Sequence, residues 1–528
     1  MLPYADVWEA IAEVRGDAPA EIQGSRRISW RDFDRRADGI AQTLLDVGAT
    51  HQDKVANYLF NAPEYLEAFY GTVKAGLVPV NTNYRYGPSE LAYLWDNADA
   101  VAVVFHGAFT ATVEQVRPLV PRVRLWLWVD DGSGSCPDWA VPYEQAAGAA
   151  TATVVPRWGR SPDDLILVYT GGTTGMPKGV MWRQGDLGQG PRPDETVESI
   201  VAALPDEPSV YLPACPLMHA TALMTSLGNK RGGGTIVTLE GRNFDPVELL
   251  DTVDRERVAW FAMVGDAFGK PILKALDEHP GRWTLESLRA IFSSGVMWSE
   301  ATKQGLLRHK ASLSLLDSLG SSEAPGLANA ASSTDGGVAS TATFQPGPHT
   351  KVITDDGRFV EAGSGEIGML GRSGSIPVGY YKDPEKSAAT FRLIDGVRFT
   401  IPGDWATVEA DGSIRLLGRG SVCINTGGEK VFPEEVEEVL KGHPSVHDAV
   451  VVGVPDEKWG EAIVAMVEPG SGPEVAEDAL IGHVKARLAR FKAPKHVLFV
   501  ATIGRAANGK VDYGRLRREA VERLGAPA

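Results

Sequence analysis

Cysteine is scarce in this chain. Its three residues, Cys136, Cys215 and Cys423, are odd in number, far apart and without a CxxC pair. That argues against a disulfide framework and against a zinc site of thiolates, and a reducing cytoplasm is the compartment to expect. Long apolar runs are missing too. None reaches the ~20 residues that carry a helix across a bilayer, so no transmembrane segment is expected. The opening stretch MLPYADVWEAIAEVRG has no basic region followed by an apolar core, so no secretory leader is expected. Cationic excess is also absent: 52 lysines and arginines face 68 acids, a net charge of −16. Nucleic-acid recognition rests on clustered cations meeting phosphates, so no nucleic-acid partner is expected. Docking on anionic lipid is disfavoured for the same reason. Neither an internal repeat nor a coiled coil is present.

What the chain does have is apolar content, 43% of 528 residues, ample for a large core and, at ~150 residues per unit, about three units. Residues 28–105 alternate. Ile28-Ser29-Trp30 leads into an amphipathic helix with Phe33, Ala37, Ile40, Ala41 and Leu44 on one face, ended by Gly48. Val55–Phe60 reads as strand, Pro63–Ala75 as helix and Leu77–Val80 as strand. Such alternation predicts an α/β fold with parallel-rich sheets covered by helices. Segments 184–208 and 331–345 read as loops from their Gly, Pro, Ser, Thr and Asp content. From about Ser421 the units shorten: helix Pro433–Lys441, strands Ala449–Val454 and Ile463–Val467, helix Ala479–Leu488, strand Val497–Val500. That is a compact α+β tail of small-domain size.

The strongest local signal is the apolar run Leu165–Tyr169 followed by Thr170-Gly-Gly-Thr-Thr-Gly-Met-Pro-Lys-Gly179. It reads as a loop. Gly171, Gly172 and Gly175 let backbone N–H groups approach an anion. Thr170, Thr173 and Thr174 add hydroxyls, and Lys178 adds a charge. All of this suits a polyphosphate. It is not a Walker loop, because Pro177 and Gly179 flank the lysine. Gly504-Arg-Ala-Ala-Asn-Gly509-Lys510-Val511 does match GxxxxGK. Val511 cannot hold magnesium, however, and the 17 residues that follow are too few for a P-loop domain.

TGGTTGMPKG resembles the signature of the adenylate-forming enzymes: acyl-CoA synthetases, luciferases and peptide-synthetase adenylation domains. Further motifs follow in that family's order: Pro216-Leu-Met-His219, Gly320-Ser-Ser-Glu323, Gly379-Tyr-Tyr-Lys-Asp-Pro-Glu385, Gly403-Asp404, Gly418-Arg419 and Gly509-Lys510. The resemblance runs from Ser29 to about Leu516. Leu319 and Ser322 stand where the family has tyrosine and threonine, and Ser421-Val422 replaces its acidic pair. With Ile424-Asn-Thr-Gly-Gly-Glu-Lys-Val-Phe-Pro433, these departures look most like actinobacterial acyl-CoA synthetases for long-chain fatty acids and steroid side-chain acids.

The resemblance implies a two-step reaction: a carboxylic acid and ATP give acyl-AMP and pyrophosphate, then coenzyme A takes the acyl group. Joining a carboxylate to a phosphate brings two anions together, so positioning and charge neutralisation dominate. By resemblance, Lys510 serves the first step and Glu323 holds Mg2+. The nucleotide site would comprise Thr170–Gly175, Lys178, Ser294, Gly295, Asp317, Ser318, Ser322, Asp404, Arg419 and Lys510. Asp404 would accept from the ribose hydroxyls, and Asp317 would lie beside the adenine. His219 would gate access to the acyl carboxylate. The acyl pocket would involve Met218, His219, Ala222, Val264, Gly265 and Ala267, whose small members suit a wide tunnel and equally suit close helix packing. Gly427, Gly428 and Glu429 would line the pantetheine path. Residues 1–420 would form the large acid- and ATP-binding domain. Residues 421–528 would form a small mobile domain, hinged at Ser421, that carries Lys510. The assembly leaves room for a homodimer. Taken singly, most of these residues read as ordinary turn or surface groups; their joint order in the motifs gives them roles.

Other readings stay open. An acyl-AMP ligase would hand its product to a carrier protein, although no carrier domain is expected after Lys510. A luciferase-like monooxygenase would share the fold, because fold does not fix function. A non-catalytic nucleotide-binding regulator would be expected to lose Lys510, Glu323 or Asp404, and all three are present.

Overall fold

The apolar stripe after Ser29 forms the helix Trp30–Asp46 in the computed structural model, which describes residues 2–526 except 173–174, 188–193, 297, 340–341, 420–421, 427–428, 457–458, 471, 474 and 507–510. Ser29 caps it, its hydroxyl accepting from the Asp32 N–H at 3.0 Å, a contact that satisfies a backbone donor the first turn leaves open. Trp30, Phe33, Ala37, Ile40, Ala41 and Leu44 are buried, as the spacing predicts. The next helix, Pro63–Lys74, is buried at every residue. It packs on strands of both sheets described below, so it has no solvent face.

Two compact units emerge: Met1–Gly326 with Ala330–Ala339 and Ser373–Thr400, and Leu327–Asn329 with Ser340–Arg372 and Ile401–Ala528. The first unit holds two parallel-rich sheets. In one, Pro19–Gln23, Thr235–Thr238, Val210–Pro213, Trp260–Met263, Ala290–Ser294 and Ser314–Leu319 run parallel in that spatial order, with Arg26–Ser29 antiparallel at the edge. In the other, Leu165–Gly172, Val78–Asn81, Lys54–Tyr58, Ala100–His106, Leu125–Val129 and Val141–Pro142 run parallel. The antiparallel strands Gly175–Arg183 and Gly379–Tyr380 extend its first side. The expected fold class is the one found.

The second unit carries the antiparallel strands Thr343–Pro346, Ile414–Arg419, Asp404–Val408, Gly368–Arg372 and Thr350–Ile353. It also holds the tail sheet, built on the long pair Val446–Asp456 and Gly460–Pro469. Side chains alternate on the first of these: Ala449 and Val451 face one core, Val450, Val452 and Val454 the other, the period of two that a strand buried on both faces requires. Trp405 lies 6.4 Å from the Phe432 ring, which ties residues 401–419 to the tail within this unit. Ser421, the expected hinge, lies outside the described residues.

The structure departs from the sequence reading in three places. The stretch after Tyr169 is a hairpin rather than a loop. Segment 184–208 contains the helix Val197–Ala202, started by Thr196, whose hydroxyl accepts from the Ser199 N–H. Segment 331–345 runs into the strand Thr343–Pro346.

Lys74 is a buried charge of the first unit held among several carboxylates. It is wholly buried, 2.6 Å from Asp38, 2.8 Å from Asp34 and 3.1 Å from Glu9. Arg160 also pairs with Glu9, so Asp34 and Asp38 depend most on the lysine. Lys74→Met removes the cation and leaves the buried Asp38 and the half-buried Asp34 without it. The expected cost is about 3–5 kcal/mol of stability, the usual penalty for breaking a buried ion pair from one side. Urea unfolding reads it, and a midpoint equal to the parent's would contradict this account.

Candidate active site

In open α/β sheets, ligands bind in the crevice beyond the carboxyl ends of the strands, where the following loops converge. Four neighbouring parallel strands of the first sheet, Val210–Pro213, Trp260–Met263, Ala290–Ser294 and Ser314–Leu319, deliver the predicted residues to that edge. The first leads to Met218 and His219. The second leads to Val264, Gly265 and Ala267. Ser294 and Gly295 end the third, and Asp317 and Ser318 the fourth, in register opposite Ser293 and Ser294. Gly295 sits at φ +94°, a conformation that a side chain would strain. The Ser293 hydroxyl accepts from the Gly265 N–H at 2.9 Å, which fixes the start of the helix Gly265–Glu278 against the strand end. The Asp317 carboxylate is committed to Lys303 at 3.1 Å. Burial pushes this acid above the usual carboxylate range and Lys303 pulls it back.

The glycine-rich signature is built as Leu165–Gly172 paired with Gly175–Arg183. Thr170 stands opposite Lys178, and Tyr169 opposite Gly179. A Cβ on Gly179 would lie 2.7 Å from the Tyr169 ring, so glycine there makes room for the aromatic. Thr173 and Thr174 lie outside the described residues. The Lys178 ammonium is 2.6 Å from Asp383 and 6.0 Å from the centroid of Tyr380. The hydrogen bond from Lys178 holds the Asp383 carboxyl below its ordinary value. Asp383 also caps the helix Pro384–Thr390 by accepting from the Lys386 N–H. The Tyr380 hydroxyl donates to Glu323 Oε1 at 2.8 Å, and the Trp182 indole N–H donates to the Ser322 carbonyl at 2.9 Å. Tyr380 therefore holds the candidate metal ligand at its hydroxyl with the hairpin's lysine near its ring.

No group of three or more His, Cys, Asp or Glu among the described residues could hold a metal ion. A single hard carboxylate such as Glu323 suits magnesium, which takes one or two protein oxygens and completes its shell from phosphates and water. A hairpin with a hydroxyl and a lysine beside one carboxylate can bind and neutralise a metal-bound polyphosphate.

His219 stands at the N-cap of the helix Ala220–Arg231, with its own N–H on the Pro216 carbonyl. Two residues absent from the sequence reading shape its approach. The Asn61 amide donates to the carbonyls of Pro213 and Cys215 at 3.2 and 3.0 Å and accepts from the Leu217 N–H at 2.7 Å. Asn81 engages Tyr169 and Met218. The only available signal was a polar residue closing an apolar run, as in Val78-Pro-Val-Asn81. Of the candidate acyl-pocket residues, Met218, Ala222, Val264 and Gly265 are buried, and Ala267 is exposed.

In the second unit, Asp404 is buried and stands opposite Arg419 across the antiparallel ladder, which brings these two candidates together. Glu429 is exposed and opposite Thr426. Gly427, Gly428 and Lys510 lie outside the described residues.

The sequence pattern described as AMP-binding enzyme matches residues 8–381, and that of the AMP-binding enzyme C-terminal domain matches residues 435–510. The chain is 38% identical to the medium-chain acyl-CoA ligase Mig of Mycobacterium avium, over 98% of each protein. It is also 38% identical to a medium/long-chain-fatty-acid–CoA/3-oxocholest-4-en-26-oate–CoA ligase of Mycobacterium marinum, over 97% of this chain and 95% of the relative. ATP-bound MatB from Rhodopseudomonas palustris superposes with a TM-score of 0.81 at 26% identity, over 98% of this chain and 99% of its own.

Proposed function

Because the chain belongs to the AMP-binding enzyme family, we propose that it is an ATP-dependent acyl-CoA synthetase acting on long-chain fatty acids or steroid side-chain acids. The observation that carries the site assignment is the meeting of Lys178 and Glu323 on Tyr380, beside the glycine-rich hairpin. A carboxylate oxygen of the acid attacks the α-phosphorus of ATP, and the bond to the β-phosphate oxygen breaks, releasing pyrophosphate. The thiol of coenzyme A then attacks the acyl carbon, and AMP leaves as acyl-CoA forms. Lys178 and the hairpin backbone bind the polyphosphate. Glu323 and phosphate oxygens would hold magnesium, whose charge would neutralise the polyphosphate. Ser294, Gly295 and Asp317 flank the purine, and Asp404 and Arg419 meet the ribose. His219 gates access to the acyl carboxylate.

Lys510 is a flexible point charge able to reach both carboxylate and α-phosphate. It belongs to the mobile domain 421–528, hinged at Ser421, and withdraws after the first step while Gly427, Gly428 and Glu429 come to line the pantetheine path. Among the described residues no helix is long and apolar enough to cross a membrane, and a reducing cytoplasm is the compartment that fits the scarcity of cysteine.

The substrate class is tested with an acid series. Four further buried methylenes contribute about 3 kcal/mol, roughly a hundredfold in specificity. kcat/KM is expected to rise by that order from octanoate to laurate and to stay high for palmitate and for a steroid side-chain acid. Best turnover of acetate or benzoate would end the long-acid reading and leave the synthetase class standing.

A further inference from the structure

Asn81 closes the strand Val78–Asn81, which runs parallel to Leu165–Gly172 with Val80 opposite Leu167. One step further along, the Asn81 side chain takes over from the backbone ladder. Its Oδ1 accepts from the Tyr169 N–H at 2.6 Å, and its Nδ2 donates to the Tyr169 carbonyl at 2.9 Å. The second N–H of the same amide donates to the Met218 carbonyl at 2.6 Å. The Tyr84 N–H meets the Met218 sulfur at 3.3 Å, which holds the same residue from the other side. Asn81 is buried, and the three bonds of its side chain are buried with it, where a lost partner leaves a polar group uncompensated.

Tyr169 directly precedes Thr170 of the phosphate hairpin, and Met218 directly precedes His219. An amide has two donors and an acceptor in one rigid plane. That plane therefore fixes the spacing between the backbone that precedes the polyphosphate site and the backbone that precedes the acyl gate. Asn61 offers the internal comparison. It also carries three bonds, but all go to Pro213, Cys215 and Leu217, and none reaches the hairpin.

We propose that Asn81 is a positioning residue that sets the distance between the ATP phosphates and the acid carboxylate, and so the geometry of attack. This rests on the acyl-CoA synthetase reading. Small misplacements matter at this step, because in-line approach of the two reactants is the main thing the site supplies.

The test uses the full-length chain with Asn81→Ser, Asn81→Asp and Asn61→Ala. Each is assayed for acyl-AMP formation from ATP and palmitate in single turnover, with Kd for ATP measured by calorimetry. Asn81→Ser is expected to slow acyl-AMP formation on the order of a hundredfold at saturating ATP and acid. The Kd for ATP should move by less than about threefold, since the hairpin's own contacts persist. Asn61→Ala should raise the KM for the acid more than it lowers the rate at saturation. Asn81→Asp keeps the acceptor and lacks the donors when ionised; protonation restores one. Its rate relative to the parent should therefore climb as pH falls, because burial keeps the new carboxyl readily protonated. Folded Asn81 variants with parental single-turnover rates would overturn the proposal. So would a flat pH ratio for Asn81→Asp, or failure of every Asn81 variant to fold, which would make the residue purely structural. If the parent itself forms no acyl-AMP, the synthetase reading fails instead, and the two failures are told apart.

Discussion

Lys510→Ala is expected to lower the rate of acyl-AMP formation by on the order of a thousandfold, with thioester formation from supplied acyl-AMP within a few-fold of the parent. The asymmetry follows from what each step needs. The first step forces a carboxylate against a triphosphate, and a cation spanning both anions stabilises charge that develops only as they join. Removing one such group typically costs about 3–4 kcal/mol. The second step is attack by a thiol on a neutral acyl carbon that already carries a good leaving group, so no lysine is required. Single-turnover quenching measures the first step and acyl-AMP plus coenzyme A the second. Equal losses in both would show that Lys510 acts in folding or in both steps, and would remove the lysine exchange from the mechanism.

Glu323→Gln is the second large effect. The substitution preserves length and an oxygen to accept from Tyr380, so the 2.8 Å contact can persist while the charge is lost. A neutral amide is a far weaker partner for a hard divalent cation. The magnesium concentration for half-maximal adenylation should rise by tenfold or more, and the maximal rate should fall. Calorimetric titration of magnesium into the ATP complex gives a readout independent of turnover, and it should show the same loss of affinity. Superimposable magnesium titrations of mutant and parent would show that Glu323 is not the ligand, whatever the rate does. Tyr380→Phe provides a graded companion. It frees the Glu323 oxygen without touching the charge, so it should shift the magnesium requirement less than Glu323→Gln.

The features legible in the sequence were those set by local chemistry. The helix after Ser29 was legible because its cap and its apolar stripe lie within a few turns of each other. The strands of the tail were legible for the same reason, since a short run of apolar and β-branched residues is a local signal. The glycine-rich segment suggested a phosphate binder, but its hairpin was not legible. Glycine and threonine announce a turn, whereas pairing of Thr170 with Lys178 depends on strand register, which composition does not carry. Gly179 stood in the sequence only as a neighbour of Lys178; in the structure it is a close approach of Tyr169. The ambiguity of small residues was real. Ala222 is packed into the core, while Ala267 is exposed on the helix Gly265–Glu278, and both are simply alanines in the sequence. The role of Asn81 was not legible beyond its place at the end of an apolar run, because its partner Met218 lies 137 positions away. Tyr380 and Asp383 lay within a recognised motif, but their service to Glu323 and Lys178 emerged only when two distant strands were paired.

The central claim is that one chain makes an acyl-adenylate and then a thioester. It is tested by incubating the full-length protein with ATP, magnesium and palmitate, with and without coenzyme A, and identifying every product. Without coenzyme A, pyrophosphate should appear only when the acid is present, in an amount matching enzyme-bound palmitoyl-AMP. With coenzyme A, AMP and palmitoyl-CoA should accumulate in equal amounts over many turnovers. Formation of ADP and phosphate, or palmitoyl-AMP that coenzyme A fails to consume, would contradict the assignment.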